Sequence, residues 1–150
     1  MTASRRQARE WALQMLTAAD LNPPESADAL IAEHWQQLRS LEGADCGTAG
    51  ERVRGGLRTF TEDRVRGVLE TMPELDAELA ALLVDWDLAR LGTVERAVLR
   101  LGLWELRHSD VPAPVVINEA VDLVNWFSSP KSRSLVNGVL DRAAKKAKAD

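Results

Sequence analysis

The segment from Gly92 to His108 constrains the fold of this chain more than any other segment. In a helix its apolar side chains point in almost every direction, and its three arginines share one narrow stripe. A helix that is apolar nearly all round is normally buried by its neighbours. Thr93 is a candidate N-cap, and the negative charge of Glu95 in the first turn suits the helix dipole. We therefore predict a central helix here, with other helices packed around it.

The remainder of the chain shows helical periodicity between breaks. Residues 4–20 place apolar side chains at the spacing i, i+3, i+4, i+7, which is typical of an amphipathic helix. Prolines, serines and glycines separate further helical patterns, and no segment alternates convincingly as a strand would. These patterns cover residues 26–41, 48–71, 73 onward, 115–127 and 131–147. We predict an all-α fold of about seven helices, and a chain of 150 residues is large enough for one domain with its own core.

Three large side chains have a specific predicted environment. The helix that begins at Pro73 is predicted to bury Trp86 together with four leucines. His34 lies on the apolar face of its helix with no Cys or His at ligand spacing, which indicates a residue at the edge of the core rather than a metal ligand. Trp126 lies on the polar face of its helix, and it either marks a contact surface or is a partly covered edge residue.

Charge is distributed unevenly along the chain. The net charge of −4 argues against a protein that binds nucleic acid through an overall basic surface. Arg5, Arg6 and Arg9 nevertheless cluster in the first turns of the first helix, where cations oppose the helix dipole. Guanidinium groups can fork onto phosphate oxygens, and short arginine-rich helices are a known RNA-binding device. An anionic partner and an ordinary solvated face are the two interpretations of this cluster.

The sequence contains no motif for catalysis, for a metal or for a nucleotide phosphate. Patterns such as GxSxG, HExxH, CxxC, the P-loop and the EF-hand loop are absent, and two histidines with one cysteine cannot assemble a conventional zinc site. We therefore expect a non-enzymatic binding module without a cofactor or a metal. The single Cys46 fits a reducing cytoplasm, and no apolar run approaches the roughly 20 residues that span a bilayer.

Short motifs stand in a fixed order along the chain. RRQARE lies near the start (residues 5–10), and the C-terminal third contains LGTVERAVLRL (91–101), WEL (104–106), VP (111–112), INEAVDL (117–123) and VNGVLD (136–141). Each motif alone is weak, but their order and spacing make the pattern specific. In this respect the chain closely resembles the NusB family of bacterial transcription antitermination factors. The resemblance is strong over residues 90–142, good over 4–16 and general between them.

The resemblance implies a single domain of two packed helical bundles, with the helices of roughly 4–72 in the first and those of 73–147 in the second. It implies binding to the boxA RNA of ribosomal RNA leader transcripts together with NusE, a small-subunit ribosomal protein, and loading of the pair onto RNA polymerase. The family's RNA surface carries over to the first helix and to the turn that enters the last helix, namely to Arg5, Arg6, Arg9, Phe127, Lys131 and Arg133. The resemblance also implies that Glu95 lies on the face that binds NusE.

Three positions depart from the family pattern, one of them Thr17, where a family tyrosine is found near the end of the first helix. Leu135 stands where an aromatic residue is common early in the last helix, so one base-stacking platform is absent, and Trp126 is a substitute by position. Lys131 stands where an acidic residue is common, which strengthens attraction to phosphate. We therefore expect a cytoplasmic antitermination factor whose RNA contacts are mainly electrostatic. The alternative is a helical protein-interaction module, or a homodimer, with no RNA binding of its own.

Overall fold

The described part of the chain is all-α, with helices joined by short connections. The computed structural model describes residues 4–42 and 48–149, with side chains over 4–38 and 55–146. These residues form seven α-helices and one short 3-10 turn, and they contain no strand, as predicted. The helices are α1 Arg5–Leu21, α2 Ala27–Glu42, α3 Thr48–Glu70, α4 Met72–Leu82, α5 Thr93–His108, α6 Ala113–Phe127 and α7 Pro130–Ala149, and the 3-10 turn is Leu88–Arg90.

The chain divides into two compact units, residues 1–69 and 70–150. The first unit contains α1 to α3, and the second contains α4 to α7. None of the described helices is long and apolar enough to cross a membrane.

The core of the first unit is built on the apolar stripe of α1. All six residues of that stripe are buried: Ala8, Trp11, Ala12, Met15, Leu16 and Ala19. The Trp11 ring packs edge-to-face on the Trp35 ring of α2, with 5.4 Å between ring centroids. Helix α3 is joined to α1 where the buried Thr61 hydroxyl donates a hydrogen bond to the Ala8 carbonyl at 3.1 Å. The half-buried His34 lies beside Trp35, and burial lowers the pKa of its imidazole.

The second unit is organised around α5, as predicted from its apolar surface. Helix α5 packs against α4, α6 and α7, and its apolar side chains from Ala97 to Leu103 are buried. A Cβ placed on Gly102 would lie only 2.7 Å from Leu140, so glycine permits the close approach of α5 and α7. On the α4 side, Arg100 forms a two-pronged ion pair with Asp76, with N···O distances of 2.8 and 3.0 Å.

Two predictions about the second unit were wrong. Helix α5 already begins at Thr93, so its N-cap is Gly92, which has no side chain with which to make a capping hydrogen bond. Trp86 is 57 % exposed rather than buried. Helix α4 ends at Leu82, where extended backbone at Leu83 breaks the helical register, so the face that buries Leu75 and Leu79 does not continue to Trp86.

Candidate nucleic-acid interface

The first candidate surface lies at the start of α1. The Ser4 hydroxyl accepts a hydrogen bond from the Gln7 N–H at 3.3 Å and so caps the helix. Helix α1 therefore begins at Arg5, and its first turn presents Arg5 and Arg6 as exposed side chains. That turn contains no acidic residue. The positive end of the helix dipole and two guanidinium groups consequently act in the same direction on an approaching anion.

Arg9 lies in a different environment from Arg5 and Arg6. It is only 4 % exposed, so the interpretation of the three arginines as one solvated face is wrong at this position. The reason is the packing of α3 on α1, which brings the Phe60 ring to Arg9, with the guanidinium carbon 5.1 Å from the ring centroid. The apolar stem of an arginine packs readily while its head keeps its charge.

Three arginines converge on the half-buried ring of Phe60. The guanidinium carbons of Arg5 and Arg64 lie 5.2 and 3.3 Å from the ring centroid, and that of Arg9 lies at 5.1 Å. All three distances fall within the range of a cation–π contact. We call these four residues the Phe60 cluster. Because a ring attracts a cation without cancelling its charge, the cluster fixes the direction of Arg5 while leaving it attractive to phosphate.

Phe60 and Arg64 are part of this surface but were not among the residues predicted for it. Periodicity assigns Phe60 to the apolar face of α3, which indicates only a core residue. The available signal was the i, i+4 spacing of Phe60 and Arg64 on one helix, where side chains are neighbours. The contact with α1 is not visible from spacing, because it depends on how α1 and α3 pack.

The second candidate surface is the α6–α7 turn, which we define as residues 126–133. Trp126 and Phe127 are 73 % and 46 % exposed at the end of α6, and Lys131 and Arg133 are exposed in the first turn of α7. Exposed aromatic rings beside cations are suited to stacking on bases and attracting phosphate. The predicted residues Phe127, Lys131 and Arg133 are therefore all exposed at the junction of α6 and α7.

The carboxylate of Glu95 holds the α6–α7 turn in place through hydrogen bonds. Its Oε1 accepts hydrogen bonds from the Ser132 hydroxyl at 2.8 Å and from the Ser128 hydroxyl. The two serine oxygens lie 3.1 Å apart, and Ser132 is buried. A single carboxylate at the start of α5 thereby connects the last residues before α7 with its first turn. These hydrogen bonds account for the serines at positions 128 and 132, a role that the spacing of residues in the sequence did not reveal.

The environment of Glu95 favours its charged form. Burial raises the pKa of Glu95, but hydrogen bonds from Ser128, Ser132 and its own backbone, together with the charge of Arg96, lower it more. The net pKa therefore lies below the ordinary value of 4.5. Glu95 was predicted to lie on a protein-binding face, and the structure shows that one of its carboxylate oxygens is already engaged within the second unit.

The described residues hold no group of three or more His, Cys, Asp or Glu side chains placed to bind a metal ion. The chemistry of both candidate surfaces is that of cations, aromatic rings and hydroxyl groups. Side chains of these kinds bind ligands through charge, stacking and hydrogen bonds.

Comparison with known proteins identifies the family. The model of the NusB family matches residues 6–145. The transcription antitermination protein NusB of Syntrophotalea carbinolica is 34 % identical over 145 residues, which covers 94 % of this chain and 92 % of that protein.

Solved structures share the fold. A crystal structure of T. maritima NusB superposes with a TM-score of 0.75 at 28 % identity, covering 97 % of this chain and 93 % of the other. A crystal structure of the antitermination factors NusB and NusE in complex with dsRNA gives a TM-score of 0.69 at 28 % identity, covering 95 % and 96 %. The matched family is one of non-enzymatic factors. With a family match and a relative that both extend over nearly its whole length, this chain belongs to the NusB family.

Proposed function

We propose that this protein is a transcription antitermination factor that binds the boxA RNA of ribosomal RNA operon transcripts together with NusE and so supports their transcription. The observation that carries the proposal is the start of α1, where exposed Arg5 and Arg6 lie at the positive end of a helix dipole. Membership in the NusB family supports the same function. A related NusB is seen with NusE and RNA in one complex.

In this proposal α1 supplies contacts to the RNA backbone. Arg5 and Arg6 bind phosphate oxygens through charge-assisted hydrogen bonds. Arg9 contributes mainly through the Phe60 cluster, since its side chain is buried and packs on the same ring as Arg5. Such contacts position an RNA strand but carry little sequence information.

The α6–α7 turn supplies contacts of a second kind. Phe127 offers an exposed ring on which an unstacked base can lie, and Lys131 and Arg133 attract the adjoining phosphates. Single-stranded RNA is read through unstacked bases, so this turn is the proposed source of base preference. Glu95 holds the turn in place through Ser128 and Ser132.

The proposed protein partner is NusE, bound on the second unit in the region of Glu95, and the pair joins the antitermination complex on RNA polymerase. The net charge of −4 predicts modest RNA affinity for this chain alone, since among the described residues only four exposed cations, Arg5, Arg6, Lys131 and Arg133, lie on the two candidate surfaces. A second RNA-binding protein attached to the first raises the effective concentration of each, so that two weak sites bind tightly together.

Fluorescence anisotropy tests the proposal with a boxA-like RNA and a scrambled RNA of equal length, with and without NusE, at two salt concentrations. We expect preferential binding to the boxA-like RNA, tighter binding with NusE and weaker binding at the higher salt concentration. Equal binding to both RNAs would contradict sequence recognition.

The competing function is a protein-interaction module. Stable binding to NusE with no RNA binding at either salt concentration would favour that alternative. Light scattering across a concentration series distinguishes a monomer from a homodimer that hides the arginines of α1 and so prevents RNA binding.

A further inference from the structure

The second unit contains an open groove of about 440 Å³ that the α6–α7 turn does not account for. One wall is the segment Val84–Trp86, which follows α4, and the other is the outer face of α7. Val84 and Trp86 are 76 % and 57 % exposed. The residues that line the groove are Val84, Asp85, Trp86, Lys131, Ser134, Leu135, Gly138 and Arg142.

The groove is shaped by a glycine and an arginine on α7. Gly138 and Arg142 lie one helical turn apart, and a Cβ on Gly138 would be in ordinary contact with Nη1 of Arg142 at 3.4 Å. The Arg142 guanidinium donates a hydrogen bond to the Leu82 carbonyl at 3.0 Å, where α4 ends. This contact ties α7 to the end of α4 and fixes the segment that carries Trp86 in place.

The chemistry of the lining fits one unstacked nucleotide. The exposed Trp86 ring offers a stacking platform, and tryptophan is among the side chains on which splayed bases stack. Lys131 and Arg142 supply positive charge for a phosphate. Asp85 offers a carboxylate that can accept a hydrogen bond from an amino group on a base edge.

Charge and continuity favour RNA over a peptide as the occupant. Only three of the lining side chains, Val84, Trp86 and Leu135, are apolar, and two cations lie among them. Lys131 also belongs to the α6–α7 turn, so the groove continues directly from that surface. A strand whose phosphates contact Lys131 would bring its next base to Trp86.

We propose that this groove binds a single unstacked base of the RNA, with its ring on Trp86 and its phosphate near Lys131 and Arg142. The proposal rests on RNA binding as the proposed function, and it adds a second stacking position to that of Phe127. It also supplies an aromatic contact near Leu135, where the sequence has no aromatic side chain.

The experiment uses a set of boxA-like RNAs, each with 2-aminopurine at one position, because the fluorescence of this base falls when it stacks. When the unaltered protein binds, we expect the fluorescence of 2-aminopurine to fall at one RNA position, because the base at that position stacks on Trp86. Trp86→Ala should remove that quenching and weaken RNA binding about tenfold. Trp86→Phe, which retains a ring, should restore most of both signals.

Controls separate the groove from general effects. Val115→Ala removes an exposed apolar side chain on α6 outside the groove and should leave both signals unchanged. Circular dichroism and thermal unfolding of Trp86→Ala should match the unaltered protein, since the side chain is mostly exposed.

The outcomes distinguish the inference from the function on which it rests. If the unaltered protein binds the RNA and Trp86→Ala changes neither affinity nor quenching, the groove proposal is overturned while the proposed function stands. If Trp86→Ala weakens binding of NusE but not of RNA, the groove is a protein contact and the proposal is overturned. If the unaltered protein binds no RNA, with or without NusE, both fail.

Discussion

The two candidate surfaces combine cations and aromatic rings in opposite arrangements. At the start of α1 the ring already has cations on it, because the half-buried Phe60 contacts the exposed Arg5 and the buried Arg9 and Arg64. At the α6–α7 turn the rings are outside, because Trp126 and Phe127 are exposed. The carboxylate of Glu95 supports this turn by accepting a hydrogen bond from Ser132.

This difference indicates that the two surfaces contact different parts of an RNA. The Phe60 ring already contacts three guanidinium groups, one of which belongs to the exposed Arg5, so the α1 surface is suited to phosphates rather than to bases. A ring at the surface can stack on a base, so the turn is suited to base recognition. Arginine content alone would not reveal this, since Arg100 and Arg107 of α5 instead form ion pairs with Asp76 and Glu78 of α4.

The largest expected effect comes from reversing charge at α1. The double variant Arg5→Glu with Arg6→Glu should weaken RNA binding about 100-fold at low salt, because two charge-assisted phosphate contacts become repulsions. Fluorescence anisotropy measures the change. The favourable interaction of acidic residues with the helix dipole offsets the lost contact of Arg5 with Phe60, so the variant should fold with similar stability. Unchanged RNA affinity would show that α1 is not an RNA surface.

Phe127→Ala should weaken binding about tenfold, because one stacking contact is lost. The salt dependence of binding should stay the same, since no charge is removed. Isothermal titration calorimetry or anisotropy across a salt series measures both quantities. A change in salt dependence that matches the loss of a cation would contradict a stacking role and remove the contrast between the two surfaces.

Phe60→Leu should weaken RNA binding only a few-fold while keeping most of the apolar volume. Its effect is indirect, since Arg5 loses the ring that directs it, and each cation–π contact contributes roughly 0.5–1 kcal/mol at an exposed site. Phe60→Tyr retains the ring and is the matched control. Equal loss in both variants would indicate a packing effect rather than loss of the ring.

Glu95→Gln tests the support of the α6–α7 turn through stability. Folding lowers the pKa of Glu95, so its stabilising effect is present above the ordinary value of 4.5 and is lost as the pH falls through the folded-state pKa. The variant keeps an acceptor oxygen and the carboxylate is only partly buried, so we expect a loss of stability of about 0.5–1 kcal/mol at pH 7. The difference in melting temperature should shrink below pH 4.5, and a difference independent of pH would contradict this role.

Much of the fold follows from sequence periodicity, whereas the details of the candidate site follow from packing between helices. The central position of α5 was predictable because its apolar side chains point in nearly every direction. The burial of Arg9 was not, because it depends on the approach of α3. Trp86 was misplaced because helical spacing was extended past Leu82, where the helix ends. The hydroxyl contacts of Glu95 join residues more than 30 positions apart, and no local pattern encodes such a contact.

The salt dependence of RNA binding tests the central claim most directly. We would measure log K against log salt concentration for the unaltered protein, for Arg5→Gln with Arg6→Gln, and for Phe127→Ala. If α1 contacts two phosphates of a single strand, the arginine variant should show a slope smaller in magnitude by about 1.4. Phe127→Ala should show the original slope with lower affinity. Equal slopes for the unaltered protein and the arginine variant would contradict the assignment of α1 to the RNA backbone.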